Sequence, residues 1–283
     1  MPSFLETIDR GFTLTVEVVP PAGPDPGPLL ERLKPLTRLP FFGFSVASNP
    51  VARARMSALS FGSLLQAATD RPVILHCTTR DHNSLSLQGL LWGARAHGVR
   101  TVLAASGDLV ALEERLRVST VRDMDVFGLI RLARDEGLET GAVIDIRSAQ
   151  DGLGVDLERL KRKIDAGAQF AVSQPLFDRR SAESLASLSS SLGIPILLGV
   201  LPPRTARHVE FLSRKVAGIE VPEAVQRRME RAADAAAEGL VLAREMLETA
   251  RELFAGACLM PPFNRFEVLS TVLSPAGKLP EQA

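Results

Sequence analysis

The chain has 283 residues, 46% of them hydrophobic and 23% charged, ample for a large core. Its 33 basic residues balance 33 acidic ones, which argues against a broad surface for nucleic acid or an anionic membrane. Two distant cysteines, no apolar run of the ~20 residues that a membrane span needs, and an amino terminus without a signal-like apolar core predict a cytoplasmic protein without disulfides.

Residues 13–19 (TLTVEVV) read as a first strand, and helix-period residues follow over 27–38. The alternation continues with strands at 41–47, 72–78, 100–105, 140–146, 169–174, 195–200 and 256–260. Between them lie helical segments at 52–69, 83–97, 119–136, 155–166, 180–192 and 204–214. Residues 222–254 form a longer helical excursion before the last strand, with Gly239 as the expected point of splitting or bending. Near-continuous apolar strands suit a parallel sheet covered on both faces. Eight β-then-α units predict an α/β fold, a (β/α)8 TIM barrel over residues 1–283 as a single domain. An open doubly wound sheet is the alternative, but its glycine-rich signature is reduced here to Gly152-Leu153-Gly154.

Polar residues recur at or after the strand ends: Glu17, Asn49, His76, Gly107 and Asp108, Asp145, Gln174, and Asn264 with Arg265. A barrel gathers all these ends on one face. Glu17 stands inside an apolar strand, where burial raises a carboxyl pKa and makes it a general acid near neutral pH; a buried structural ion pair is the competing reading. His76 fits a cofactor contact or a satisfied core histidine, and with Cys77 and His82 it does not make a metal spacing. Ser106-Gly107-Asp108 is a tight turn that offers backbone N–H groups and a carboxylate. Asp156, Arg162 and Lys163 open a helix whose cations suit either a phosphate or a solvated face.

Taken together, TVEVVPP, ILHCTTRDHNSLSLQGLLWGARAHGVRTVLAASGD, DLERLKRKIDAGAQFAVSQPLFD, GVLPPRTARHVEFL and PPFNRFEVL resemble the methylenetetrahydrofolate reductase family over about residues 13–270. The resemblance is strongest to the reductase half of bifunctional homocysteine methyltransferase–reductase proteins; nothing in the chain resembles their zinc-binding half. It implies a barrel that binds FAD and reduces 5,10-methylenetetrahydrofolate to 5-methyltetrahydrofolate with NADH or NADPH, as a homo-oligomer or with a partner subunit. It implies Glu17 as the general acid at N10 of the folate, with Asp108 beside the flavin and the pterin. It implies FAD contacts at His76, Ser106, Gly107, Asp108, Asp156, Arg162 and Lys163. Gln174, Phe211 and Arg265 are implied on the substrate side, and no metal. The chain departs from the family pattern at Ser106, at Leu109 and over DIRSAQDGLG, all on the flavin side. A flavin-independent reductase, a non-catalytic or partner-dependent folate barrel and a folate-dependent methyltransferase are the competing expectations.

Overall fold

The computed structural model describes residues 2–110, 118–144, 153–216 and 218–273, the side chains of 153–156, 188 and 215 excepted. Eight parallel strands close into a barrel in chain order. They are β1 (Thr13–Val18), β2 (Gly43–Val46), β3 (Val73–Thr78), β4 (Thr101–Ala105), β5 (Glu139–Ile144), β6 (Phe170–Pro175), β7 (Ile196–Val200) and β8 (Gly256–Leu259). The expected (β/α)8 barrel is therefore the observed one.

Period-two alternation sorts each strand's side chains between two cores. Leu14, Val16 and Val18 of β1, with Val73, Leu75 and Cys77 of β3, pack in the large cluster between strands and helices. Ile74, Leu103, Phe170, Val172, Leu197 and Cys258 fill a second cluster inside the barrel. Thr13, Thr15 and Glu17 alternate with β1's outward residues and so point inward, Glu17 nearest the carboxyl end.

The outer helices are α2 (Gly27–Leu33), α3 (Ala58–Thr69), α4 (Ser84–Ala96), α5 (Val126–Asp135), α6 (Leu153–Asp165), α7 (Arg179–Ser189) and α8 (Ala206–Lys215). Two start later than periodicity predicts, because side-chain caps decide the first turn. Ser57 accepts from the Ser60 N–H ahead of α3, and Asp125 from the Gly128 N–H ahead of α5. The excursion before β8 is α9 (Glu223–Arg231) and α10 (Ala235–Leu253). The break is not at Gly239: it lies at Ala232–Asp234, where the Asp234 carboxylate caps α10 through the Ala236 and Ala237 N–H groups. Gly239 is instead a contact point, since a Cβ there would lie 1.6 Å from the Pro203 carbonyl oxygen.

Two short helices were not expected. The amino-terminal α1 (Phe4–Arg10) starts on a reciprocal Ser3–Glu6 capping box and sends Phe4 and Ile8 into the inner cluster as a plug. Phe4 meets Phe170 edge-on at 4.8 Å. After β8 comes α11 (Glu267–Leu273), which buries Leu269 and Val272. No helix among the described residues is long and apolar enough to cross a membrane, and both cysteines are free and buried.

Candidate active site

The carboxyl ends of the strands carry an inward-facing polar layer. Glu17 of β1 pairs in register with Ser45 of β2, and Thr15 with Cys258 of β8. The Ser45 hydroxyl shares a 2.7 Å hydrogen bond with His76 Nε2. Burial pushes the Glu17 carboxyl up to about 7, and the Asp108 carboxylate adds to the rise. Among the described residues no group donates a hydrogen bond to Glu17, so nothing offsets its desolvation. Burial pushes His76 down to about 4, which leaves the imidazole neutral at ordinary pH. The Cys258 thiol goes up to about 12, through burial and then the Glu17 charge, so it stays protonated and unreactive.

The turn after β4 supplies the second part. Gly107 has φ +83°, and a Cβ there would stand 2.9 Å from Arg80 Cβ, so both backbone and space require glycine. Asp108 Oδ2 accepts the Val51 N–H from the loop after β2. From α6, Arg159 Nη2 reaches the Ser106 hydroxyl at 3.3 Å, while its Nε is out of solvent with no partner among the described residues. An unpaired buried guanidinium N–H costs about 1–3 kcal/mol, so an anionic group bound there would satisfy it. Lys163, one turn further along that face, is buried and donates to the Val143 carbonyl.

Gln174 is the next-to-last residue of β6, within a register shift between Val172 and Pro175. The Ser173 hydroxyl donates to the Gln174 carbonyl and accepts the Gly199 N–H, so the irregular backbone is satisfied. The Gln174 side-chain amide makes no hydrogen bond to any described residue. Asn264 clamps the last loop onto β1: its Oδ1 accepts the Val19 N–H at 3.0 Å and its Nδ2 donates to the Val19 carbonyl at 2.7 Å. Phe263 in that loop is 70% exposed at φ +57°, with its ring 5.2 Å from His208.

The structure thus gathers Glu17, His76, Ser106, Gly107, Asp108 and Gln174 at the ends of β1, β3, β4 and β6. Arg162 is not turned toward the 106–108 turn; its guanidinium lies over the Phe127 ring, 4.3 Å from the centroid. Arg265 is about half exposed and faces Glu267 at 3.6 Å. Phe211 is exposed on α8, three residues beyond His208. The Asp156 side chain and Asp145 lie outside the described residues. Two polar neighbours escaped the sequence, Ser45 and Arg80, whereas Arg159 belongs to the run of cations at 156–163 that the sequence offers for a phosphate. Among the described residues no cluster of three or more His, Cys, Asp or Glu side chains could hold a metal.

At the opposite, amino-terminal end, a cavity of about 290 Å³ is lined in part by Ser3, Phe4, Arg71, Arg100 and Glu139. Its Glu139 carboxylate already accepts from the Phe4 and Leu5 N–H groups and from Thr101 Oγ1. These bonds tie α1 to the start of β5.

The family model for methylenetetrahydrofolate reductase matches residues 4–258. A probable methylenetetrahydrofolate reductase (NADPH) of Caenorhabditis elegans is 30% identical over 160 residues, 53% of this chain and 23% of that protein. The 5,10-methylenetetrahydrofolate reductase of Salmonella typhimurium is 26% identical over 175 residues, 61% of this chain and 56% of that protein. The matches thus span about a quarter and just over half of those relatives' lengths. An uncharacterized Clostridium thermocellum protein that binds two copies of 5-methyl-5,6,7,8-tetrahydrofolic acid superimposes with a TM-score of 0.70 at 12% identity, covering 95% of this chain and 96% of that one. An oxaloacetate acetylhydrolase reaches a TM-score of 0.55 at 12% identity, over 95% of this chain and 86% of that one, so structural likeness at this level shows the barrel alone. The family match runs from the α1 plug to the last barrel strand, and on that ground the chain belongs to the methylenetetrahydrofolate reductase family.

Proposed function

We propose that this chain reduces 5,10-methylenetetrahydrofolate to 5-methyltetrahydrofolate, with NADH or NADPH as hydride donor, FAD as its cofactor and Glu17 as general acid. The observation that carries the reading is Glu17 itself: an inward carboxyl at the barrel mouth, held at about 7 by burial and by Asp108. Such a group is protonated for part of the population at neutral pH and can give its proton to N10 of a folate seated over the mouth. The Gln174 amide, unbonded among the described residues, would hold the pterin edge. Family membership supports the reaction, and the Clostridium thermocellum neighbour supports a folate as occupant.

FAD would be held by His76, by the Ser106–Asp108 turn and by the α6 residues Asp156, Arg159 and Lys163. The Arg159 Nε, without a partner among the described residues, suits a phosphate oxygen of such a cofactor. When bound, FAD supplies hydride acceptance from the nicotinamide and hydride donation to the folate. The chain's own residues orient the reactants, exclude water and manage the proton. His76, neutral and bonded to Ser45, adds no positive charge to the layer.

The test separates the two half-reactions. Purified protein is expected to be yellow, and Glu17→Gln to keep NAD(P)H-to-flavin reduction while folate reduction collapses. Equal loss of both half-reactions would assign Glu17 a structural role instead. Active protein that stays colourless and cannot be loaded with FAD would remove the flavin and keep the reaction.

A further inference from the structure

Arg80 follows β3, and its side chain is only 3% exposed. It holds Asp81 with a two-pronged grip, Nε to Oδ1 and Nη2 to Oδ2, both at 2.7 Å. Its remaining donors leave that pair and join two other loops. Nη2 donates to the Asn49 carbonyl after β2, and Nη1 to the Asp108 carbonyl after β4, each at 3.0 Å. Its own carbonyl accepts the Val121 N–H. Asn49 closes the ring: its Nδ2 donates to Asp81 Oδ2 at 3.0 Å, and its Oδ1 accepts the Arg55 N–H at 2.9 Å.

The loop so held is strained. Asn49, Val51 and Ala52 have φ of +43°, +49° and +55°, a region costly for a branched side chain such as valine. The strained Val51 presents its N–H to Asp108 Oδ2. Asp108 is therefore fixed from both sides, at its carbonyl by Arg80 and at its carboxylate by a loop that Arg80 also anchors. Gly107 packs directly on Arg80 Cβ, which leaves that turn no slack.

We infer that Arg80, gripped by Asp81, is a positioning residue that fixes the Asp108 carboxylate relative to Glu17 and so sets the protonation of the acid. The inference rests on the reading of Glu17 given above. Glu17 has Asp108 near it from the β4 turn, Cys258 from β8 and, beyond Ser45 of β2, His76 from β3. Asp108 supplies the negative charge that acts on it, and Arg80 and Asp81 cancel as a pair, so Arg80 works through geometry.

The experiment is a carboxyl titration by NMR on protein carrying carbon-13 in its glutamates, with the Glu17 signal assigned by its loss in Glu17→Gln. Arg80→Lys keeps the charge and loses the fork; Asp81→Glu keeps the charge, displaces the grip on the fork, and covers the case in which Arg80→Lys does not fold. Each is expected to lower the Glu17 midpoint by about one pH unit, the scale of coupling between close carboxylates, with a parallel shift of the alkaline limb of folate reduction. In an Asp108→Asn background the same changes should move the midpoint no further, because the charge being positioned is gone. An unmoved midpoint in the folded variants, or a shift that persists without Asp108, overturns the positioning role. A merely structural Arg80 would lower the melting temperature and leave the titration where it was. If Glu17→Gln retains folate reduction, the general-acid reading fails on its own, while the titration still reports on Arg80.

Discussion

Two glutamates, Glu17 near the end of β1 and Glu139 at the start of β5, stand at opposite ends of the same barrel. Glu139 is met by three donors, two of them N–H groups at the start of α1, where a carboxylate also complements the helix terminus. Glu17 is met by none of the described residues and has a second carboxylate nearby. The same side chain therefore works as a staple at one end and as a strained acid at the other. The difference is one of partners: three donors meet Glu139, while burial and a second carboxylate act on Glu17.

The sharpest way to break this contrast is to remove each carboxylate in turn. Glu17→Gln is expected to slow folate reduction by about 10²- to 10⁴-fold, the usual range for losing a general acid, in single-turnover measurements. Glu139→Ala should instead cost about 1–3 kcal/mol of stability in a denaturant titration, because two helix-end N–H groups and the Thr101 hydroxyl lose their acceptor. Turnover per folded molecule should then stay near that of the native chain; a deep loss there would mean that the two ends are coupled.

Acidity gives a third test. The folded Glu17 carboxyl sits at about 7 against an ordinary value of 4.5, so the protonated form favours the folded state. That contribution is complete below about pH 4.5 and is lost as pH rises through about 7. Glu17→Gln, which never ionises, should be the more stable protein above pH 7, on the order of 1–3 kcal/mol. Melting curves at pH 5 and pH 9 that differ equally for both proteins would show that Glu17 is not desolvated in solution. The smallest expected effect belongs to Thr101→Val, which takes one donor from Glu139 and should cost about 1 kcal/mol without moving the pH profile.

Much of the barrel was legible because its strands are covered on both sides. Runs such as PVILHCT and PILLGV are apolar almost without interruption, and that pattern survives any choice of neighbours. Helix ends were read less well, since a single cap such as Ser57, Asp125 or Asp234 overrides several residues of periodicity. The plug α1 carried its own signal in Ser3 and Glu6, but seven residues are too few for a period to show. Gly239 misled because a glycine within a helical run suggests a break, whereas here it makes room for the Pro203 carbonyl. In the site, Glu17 announced itself as a carboxylate in an apolar strand. Arg80 did not, because an arginine beside an aspartate in a loop looks like solvated surface until three loops close over it.

Closure of the barrel has a consequence for the molecule under stress. β1 pairs with β8 as well as with β2, so no strand presents a free row of backbone donors and acceptors. Two warmed molecules whose outer helices have loosened still find no open edge on which to zip together. Fibre-like or sheet-mediated clumping must wait until the ring of strands itself parts, and the tolerance of the protein to heating should follow the strength of that seam.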